Sequence, residues 1–401
     1  MRPGRRGAAW GAAAVAVLAA LAEGELAALS AAPARARGLL AGGWQGPVAG
    51  PGTAPLWAFG VAADVQSAPG EGERQVSLGV RRFYDGALGV ASAAGRDWAS
   101  SGVRTSVALG DLVDRRVPEP AGAFKAVIDA LRGGESRESL SAPLDLHCLG
   151  GNHELENFAR GDLRRIFSQT VGAPGWWEGA LQRLVGSPPL VSWGPGDVLY
   201  REVRPAPGWR FLILDSYEVS YLGRDSSEAQ AREAAAWLDR ERGSVRPPEG
   251  RPFSPAGLRG LRQRFTPLSG GFGEAQLRWA SGRLADADRS GDSVVVFSHL
   301  PVLHGAQSFF CGGFCLAWDY SEASALFDAH LSVQAVFAGH DHTGGYAVSP
   351  GGVHHVTLYG MVEARSAAHG TVECHEEGLF LKGRGDLPSR WLRSRTSSGK
   401  K

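Results

Sequence analysis

Apolar and polar positions fall in blocks along this chain, and the apolar blocks end in a recurring way. Five runs of strand character each stop at a small group of residues able to ligate a metal. Residues 57–63 lead into Asp64-Val65-Gln66, residues 105–109 into Gly110-Asp111-Leu112-Val113-Asp114, and residues 144–149 into Gly150-Gly151-Asn152-His153-Glu154. Residues 293–297 lead into Ser298-His299-Leu300-Pro301, and Val336-Phe337-Ala338 into Gly339-His340-Asp341-His342. Stretches of helical periodicity lie between them, at 80–100, 124–131, 157–169 and 226–242, in the amphipathic run 274–280, and ahead of residue 329. Short strands read as meanders at 190–193, 198–203 and 209–214, and again at 345–346, 353–358, 370–375 and 379–382. Strands feeding helices in this order predict an α/β fold, and in open α/β sheets ligands gather beyond the C-terminal strand ends.

The five polar groups run from Asp64 to His342, so a boundary between any two would split them. A single domain over 56–390 is expected, with a Gly/Pro linker at 42–55 before it and a polar tail at 391–401 after it. The polar connection 223–271 is long for a compact domain. Ahead of the linker, Arg2, Arg5 and Arg6 precede the apolar run 8–22, and Arg35 and Arg37 follow in an Ala-rich stretch. That segment fits a secretory signal, an organellar transit peptide or a tail without an address, and is set apart from the fold. The net charge of +1 gives no reason to expect nucleic acid or an anionic membrane as partner. Cys148, Cys311, Cys315 and Cys374 show no regular framework, so free thiols are expected, which favours an organellar or cytoplasmic location over secretion.

The polar groups supply oxygen and nitrogen ligands without a thiolate, a set that suits Mn²⁺, Fe or Zn²⁺ held open for catalysis. Asp111, between the first and third groups, is the expected bridge between two cations. Asp64, Gln66 and His342 would complete one metal, and Asn152, His299 and His340 the other. A hydroxide shared by the two metals is the expected nucleophile for phosphoryl transfer to water. His153 is the candidate acid for the leaving group, Asp114 its supporting carboxylate, and Glu154 a structural residue. Arg81 and Arg82, placed on the first helix, are candidate phosphate ligands, and His304 and Cys315 candidate substrate contacts. Each group alone has a bland reading as a turn, a helix cap or a structural histidine. The set in this order, each member behind its own strand, does not.

Taken together, Asp-x-Gln, Gly-Asp-x-x-Asp, Gly-Asn-His-Glu, Ser-His-Leu-Pro and Gly-His-Asp-His resemble the signature of the calcineurin-like metallophosphoesterases. Arg81-Arg82-Phe83-Tyr84, Leu214-Asp215-Ser216-Tyr217, Cys315-Leu316-Ala317-Trp318-Asp319-Tyr320, Gly352-Val353-His354-His355-Val356 and Leu381-Lys382-Gly383-Arg384-Gly385 narrow the resemblance to the manganese-dependent ADP-ribose/CDP-alcohol diphosphatases, over residues 56–390. Many members of the superfamily carry His where this chain has Gln66; the glutamine fits the narrower family. The resemblance implies a four-layer fold of two packed mixed sheets flanked by helices, a dimetal centre with Mn²⁺ preferred, and small nucleoside diphosphate substrates. ADP-ribose or CDP-choline would then give AMP or CMP and a second phosphomonoester. A broader phosphodiesterase or phosphomonoesterase on the same centre is the competing activity, and a degenerate metal-binding interaction scaffold the competing class.

Overall fold

Strand β1 (Trp57–Ala62) shows how the layers arise: Phe59 and Val61 point one way, Gly60 and Ala62 the other, and all four are buried. A strand covered on both faces reads as a continuous apolar run. In the computed structural model, which describes residues 50–76, 80–133, 144–170, 190–249 and 254–395, the same two-sided burial recurs through the central strands. The Ala-rich tail, the connection 134–143, the loop holding Trp176 and Trp177, and residues 396–401 lie outside the described residues.

A short hairpin, β2 (Glu73–Gln75) with β3 (Arg81–Phe83), follows β1, and then α1 (Ala87–Ser100), β4 (Thr105–Ala108), α2 (Pro120–Leu131) and β5 (Asp145–Cys148). Two helices come next, α3 (Asn152–Asn157) and α4 (Arg160–Thr170), then the meander β6 (Val191–Trp193), β7 (Arg201–Ala206) and β8 (Trp209–Ile213). Beyond α5 (Ala229–Arg242) and α6 (Gly273–Ser290) the chain forms β9 (Ser293–Phe297), α7 (Tyr320–Ala329) and β10 (Val333–Ala338). It closes with β11 (Thr343–Val348), β12 (His354–Tyr359), β13 (Ala368–His375), β14 (Gly378–Gly385) and β15 (Arg390–Arg393).

These strands make a six-stranded sheet, ordered β15-β14-β13-β1-β4-β5, and a seven-stranded sheet, ordered β11-β12-β10-β9-β8-β7-β6. Both are mixed. β1, β4 and β5 are parallel neighbours in the first, and β8, β9, β10 and β12 in the second. Phe59, Val61 and Val107 of one sheet meet Phe211, Phe297 and Phe337 of the other, with ring centroids of Phe59 and Phe211 4.8 Å apart. The outward residues Ala62, Ala108 and Leu146 are buried with α1 and α2, and Val294, Val296 and Val336 with α6 and α7. Helices therefore flank two packed sheets, the four-layer arrangement of the calcineurin-like fold. α1 approaches its sheet closely: a Cβ on Gly60 would fall 2.4 Å from the Trp98 ring, whose Nε1 donates to Gly370 O at 3.0 Å.

Several elements differ from expectation. Residues 80–100 are not one helix. Gly86 N donates to Phe83 O in a turn, and Arg81 and Arg82 lie on β3, where Arg81 pairs across the hairpin with Glu73 at 2.7 Å. The helix expected at 157–169 is divided by the extended Phe158 (φ −131, ψ 145). The fold also passes residue 390, since β15 ends at Arg393 and the Arg395 guanidinium donates to the carbonyls of Asp328 and His330 at 2.8 and 2.7 Å. The described part of 223–271 is packed: Leu238, Leu258 and Phe265 form a small cluster on Trp318.

Because Trp98 occupies the space above Gly60, Gly60→Ala should destabilise the protein by about 1–3 kcal/mol through forced displacement of α1. Chemical denaturation would show a lower midpoint at unchanged slope; a midpoint equal to the parent's would mean that α1 has room to move.

Candidate metal centre

β1, β4 and β5 end side by side in one sheet, and β9 and β10 in the other, so five loops converge where the two sheets meet. Their backbones are unusual. Asp64 (φ 54), Gln66 (φ 43), Asp111 (φ 52) and His340 (φ 67) all occupy the left-handed region, which costs roughly 1–2 kcal/mol per ordinary residue. Such conformations persist where the surroundings over-determine them, and they cluster at functional sites. Two glycines permit the close approach. A Cβ on Gly151 would lie 2.0 Å from Asp111 Oδ1, and one on Gly339 2.7 Å from Asp64 Oδ2.

Glu154 ties the second and third loops together. Its fully buried carboxylate accepts from the backbone N–H groups of Asp111 (2.7 Å), Leu112 (2.6 Å) and Gly151 (2.9 Å). Asp111 in turn accepts from His153 N at 2.9 Å. The fifth loop is fixed from both sides. Asp64 accepts from His340 N at 3.0 Å, and the buried Asp341 accepts from Ser308 Oγ at 3.0 Å and Thr343 Oγ1 at 2.9 Å.

Around Asp111 the predicted ligands divide into two groups. Its Oδ2 lies 3.3 Å from Gln66 Nε2 and 3.5 Å from His299 Nε2. On the first side, His342 Nε2 is 3.2 Å from Asp64 Oδ1 and 3.1 Å from Gln66 Nε2. On the second, donor atoms of Asp111, His299 and His340 lie within 4.8 Å of one another. Asn152 Oδ1 accepts from Tyr217 OH at 3.2 Å, and the Tyr217 ring centroid is 6.0 Å from that of His299. His299 Nδ1 donates to Leu109 O at 2.7 Å, which leaves its Nε2 facing Asp111, fully buried and without a hydrogen-bond partner. An orphaned imidazole nitrogen beside a buried carboxylate suits a cation held at about 2.0–2.2 Å from each. The donor set therefore fits divalent metal.

The charges are strongly coupled. Burial alone would raise the Asp111 carboxyl, yet the imidazoles of His153 and His299 carry it well below the usual range. Burial also opposes charge on His299 and His342, but Asp111 raises the first to about 9, and Glu363 with Asp64 raises the second to about 10. His340 goes the other way, to about 3, because it is buried beside His299. Without metal, protons on His299 and His342 offset the carboxylate charge that cations neutralise when bound.

A cavity of about 870 Å³ opens onto the centre and is lined in part by Asp111, Asn152, His153, His340 and His342. His153 Nδ1 is 2.8 Å from Asp114 Oδ1 and its Nε2 is 3.7 Å from Asp111 Oδ2. Arg82 lines the cavity; Arg81 is exposed outside it, drawn away by Glu73. His304 is likewise exposed outside it, on a single 3₁₀ turn, with its Nδ1 2.9 Å from Gln307 Nε2. Cys315 does line the cavity, but in a disulfide with Cys311 rather than as a free thiol. The two stand four positions apart in the sequence, with Cα atoms 5.7 Å apart. The inference against secretion drawn from free thiols does not extend to this pair, whereas Cys148 and Cys374 are free and buried.

Two residues with no assigned role belong to the site. Glu363 accepts from His342 Nδ1 at 2.9 Å and pairs with Arg82 at 3.4 Å. It follows β12 by four residues and has no spacing signal. Tyr217, which supports Asn152, stands within the Leu214-Asp215-Ser216-Tyr217 run but carries no chemistry that the sequence alone points to.

Two packed mixed sheets with this paired ligand set beyond their strand ends define a dimetal phosphatase of the calcineurin-like class. A dimetal phosphatase of Danio rerio superposes with a TM-score of 0.70 at 30% identity, over 85% of this chain and 99% of that one. The manganese-dependent ADP-ribose/CDP-alcohol diphosphatase of Danio rerio is 32% identical over 336 residues, 82% of this chain and 96% of the relative. The Homo sapiens protein of the same name is 33% identical over 348 residues, 84% and 92% respectively. No protein-family model matches the chain. The chain belongs to the manganese-dependent ADP-ribose/CDP-alcohol diphosphatase family.

Two expected outcomes follow from the geometry and charge. Glu154→Ala leaves several backbone N–H groups buried without acceptors, each at about 1–3 kcal/mol. It should lower the thermal midpoint and release metal together, as seen by calorimetry and elemental analysis. The second outcome concerns pH. Protons on His299 and His342, held up to about 9 and 10, must leave when imidazole binds metal. Below that range the apparent Mn²⁺ affinity at each position should fall about tenfold per pH unit of acidification. Mn²⁺ added to weakly buffered metal-free protein at neutral pH should release protons, and no proton release would contradict the assignment.

Proposed function

We infer that this chain hydrolyses the diphosphate linkage of small nucleoside diphosphate compounds, with ADP-ribose, CDP-choline and related CDP-alcohols as the substrate class. The products are AMP or CMP and a second phosphomonoester. The observation that carries this reading is the Asp111-centred ligand set in one cavity with Arg82 and His153, in a chain of this family. Asp64, Gln66, Asp111 and His342 would hold one cation, and Asp111, Asn152, His299 and His340 the other. Bound divalent metals supply an activated water and neutralise charge on the attacked phosphoryl group. Mn²⁺ is the metal in the names of the relatives; the oxygen and nitrogen donors also admit Fe or Zn²⁺.

The side chains divide the remaining work. Arg82, with Arg74, Arg115 and Arg116 on the cavity lining, places positive charge where two phosphates would lie. Asp114, 2.8 Å from His153 Nδ1, positions the imidazole so that its Nε2 is the nitrogen turned to give a proton to the departing phosphate oxygen. A phosphate leaves more readily than an alkoxide, which favours an internal diphosphate over a simple ester. A near-neutral chain gives no support for nucleic acid as substrate.

A panel of ADP-ribose, CDP-choline, ADP, a cyclic nucleotide and an aryl phosphate, each with Mn²⁺ and with Mg²⁺, tests the reading. AMP and CMP should appear with the matching phosphomonoester. Inorganic phosphate as the sole product would instead favour a phosphomonoesterase, and no turnover with metal bound would favour a scaffold. His153→Ala should keep its metals and lose about 10²–10⁴ in kcat, whereas metal loss in that variant would make His153 a ligand.

A further inference from the structure

One wall of the cavity is a turn closed by a covalent bond. Between Pro301 and α7 the chain runs past the metal centre, and Ser308, Cys311, Phe314 and Cys315 of this stretch line the cavity. Both flanks are fixed. Ser308 Oγ donates to the buried Asp341 at 3.0 Å. On the far side Ala317 N donates to Pro301 O at 3.1 Å and Trp318 N to Gly270 O at 2.8 Å. The backbone bonds of the turn itself are local, Cys311 N to Ser308 O at 3.2 Å and Phe314 N to Cys311 O at 2.7 Å. The bond from Ser269 Oγ to Phe314 O is long, at 3.5 Å. Gly312 and Gly313 at its middle are both left-handed (φ 56 and 110) and have the widest choice of backbone once a constraint is lifted. The disulfide between Cys311 and Cys315 closes this stretch into a ring.

The ring holds an aromatic face in place. Among the described residues of the lining, histidines aside, Tyr84 and Phe314 carry rings; Tyr84 is buried, whereas Phe314 is half-buried and presents a face that a ligand can reach. With two phosphates at the metals and Arg82, a nucleobase extends away from them, and bases of any kind stack on such rings. The disulfide is also reachable, since Cys311 is only half-buried and Gly312 beside it is exposed, while Cys315 is buried.

We propose that the Cys311–Cys315 disulfide is a redox-sensitive latch on the substrate cavity. Closed, it holds Phe314 as the wall on which the nucleobase stacks; opened by a dithiol, it frees that wall and weakens nucleotide binding while the metals stay. A thiolate of the dithiol attacks Cys311 Sγ, and the electron pair of the broken S–S bond goes to Cys315 Sγ, which takes up a proton. The second sulfur of the dithiol then displaces Cys311 Sγ as a thiol. Two cysteine thiols form and the dithiol leaves oxidised to its own disulfide. Ser308, which braces Asp341 between His340 and His342, lies outside the ring and keeps its bond. The inference rests on the nucleoside diphosphate reading above for the occupant of the cavity.

The experiment takes full-length protein loaded with Mn²⁺, oxidised or reduced with dithiothreitol that is then removed without air. It measures AMP binding by titration calorimetry, Mn per chain, thiols after denaturation, and melting curves as a fold control. The oxidised parent should show two thiols, those of Cys148 and Cys374, and the reduced parent four. Reduction should weaken AMP binding on the order of tenfold, the scale of one lost stacking contact, with Mn per chain unchanged and the loss reversed on reoxidation. Cys311→Ser should match the reduced parent and ignore dithiothreitol. Phe314→Ala should bind AMP weakly in both states. Four thiols under oxidising conditions, or equal AMP affinity in the two states, would overturn the latch. Loss of Mn on reduction would place the effect at the metal centre instead, and a full redox response in Phe314→Ala would remove that ring from it. Turnover of ADP-ribose by the same samples judges the underlying reading separately: none at two Mn per chain would defeat the hydrolase, while AMP binding still decides the latch.

Discussion

The site depends most on one carboxylate closed off from solvent. Glu154 gathers the backbone N–H groups of the Asp111 loop and of Gly151 onto its two oxygens, and so holds the second and third ligand loops at a fixed spacing. Burial and the neighbouring Asp111 push its carboxyl up to about 7, while the backbone N–H groups favour the charged form. The same residue caps α3, the helix that begins with Asn152 and His153. A candidate ligand, the proposed acid and the proposed bridge are thus set by a single acceptor.

The two sheets supply the rigidity behind it. Phe59 of β1 packs against Phe211, Phe297 and Phe337 of β8, β9 and β10, which couples the strand ends that carry Asp64, His299 and His340. Interiors packed at this density transmit displacement rather than absorb it. Helices on the outer faces complete the burial that lets those strands be apolar throughout. Each layer places the next, from alternating side chains to sheets and from sheets to loops.

Much of this could be read from the residue pattern, because strand ends and metal-capable side chains leave a strong local signal. The five groups are adjacent in sequence to the strands that present them, and the structure brings their side chains into one cluster. What escaped was long-range or depended on turns. Arg81 and Arg82 read as helical by periodicity, but the Asp85-Gly86 turn ends the hairpin first, and the cross-strand Glu73 takes Arg81 out of the cavity. Glu363 reaches His342 from another strand end, and Tyr217 reaches Asn152 from a loop 65 positions away. The Cys311–Cys315 pair was hidden by its isolation, since a short-range disulfide needs no wider framework of cysteines.

The left-handed turns at Asp64, Asp111 and His340 have a consequence for how such a chain changes over generations. Asn and especially Gly adopt that backbone more readily than Asp or His. At Asp64 and Asp111 either substitution would also remove a buried carboxylate, which at Asp111 is held ionised by the imidazoles of His153 and His299. Foldedness and chemistry therefore pull in opposite directions at the ligand positions themselves. A copy freed from the need to bind metal would drift toward small or neutral residues there first, relieving the turns while giving up the pairing of carboxylate with imidazole. In descendants of this fold, the residues at these few turns are a better record of whether catalysis was kept than the soundness of the protein around them.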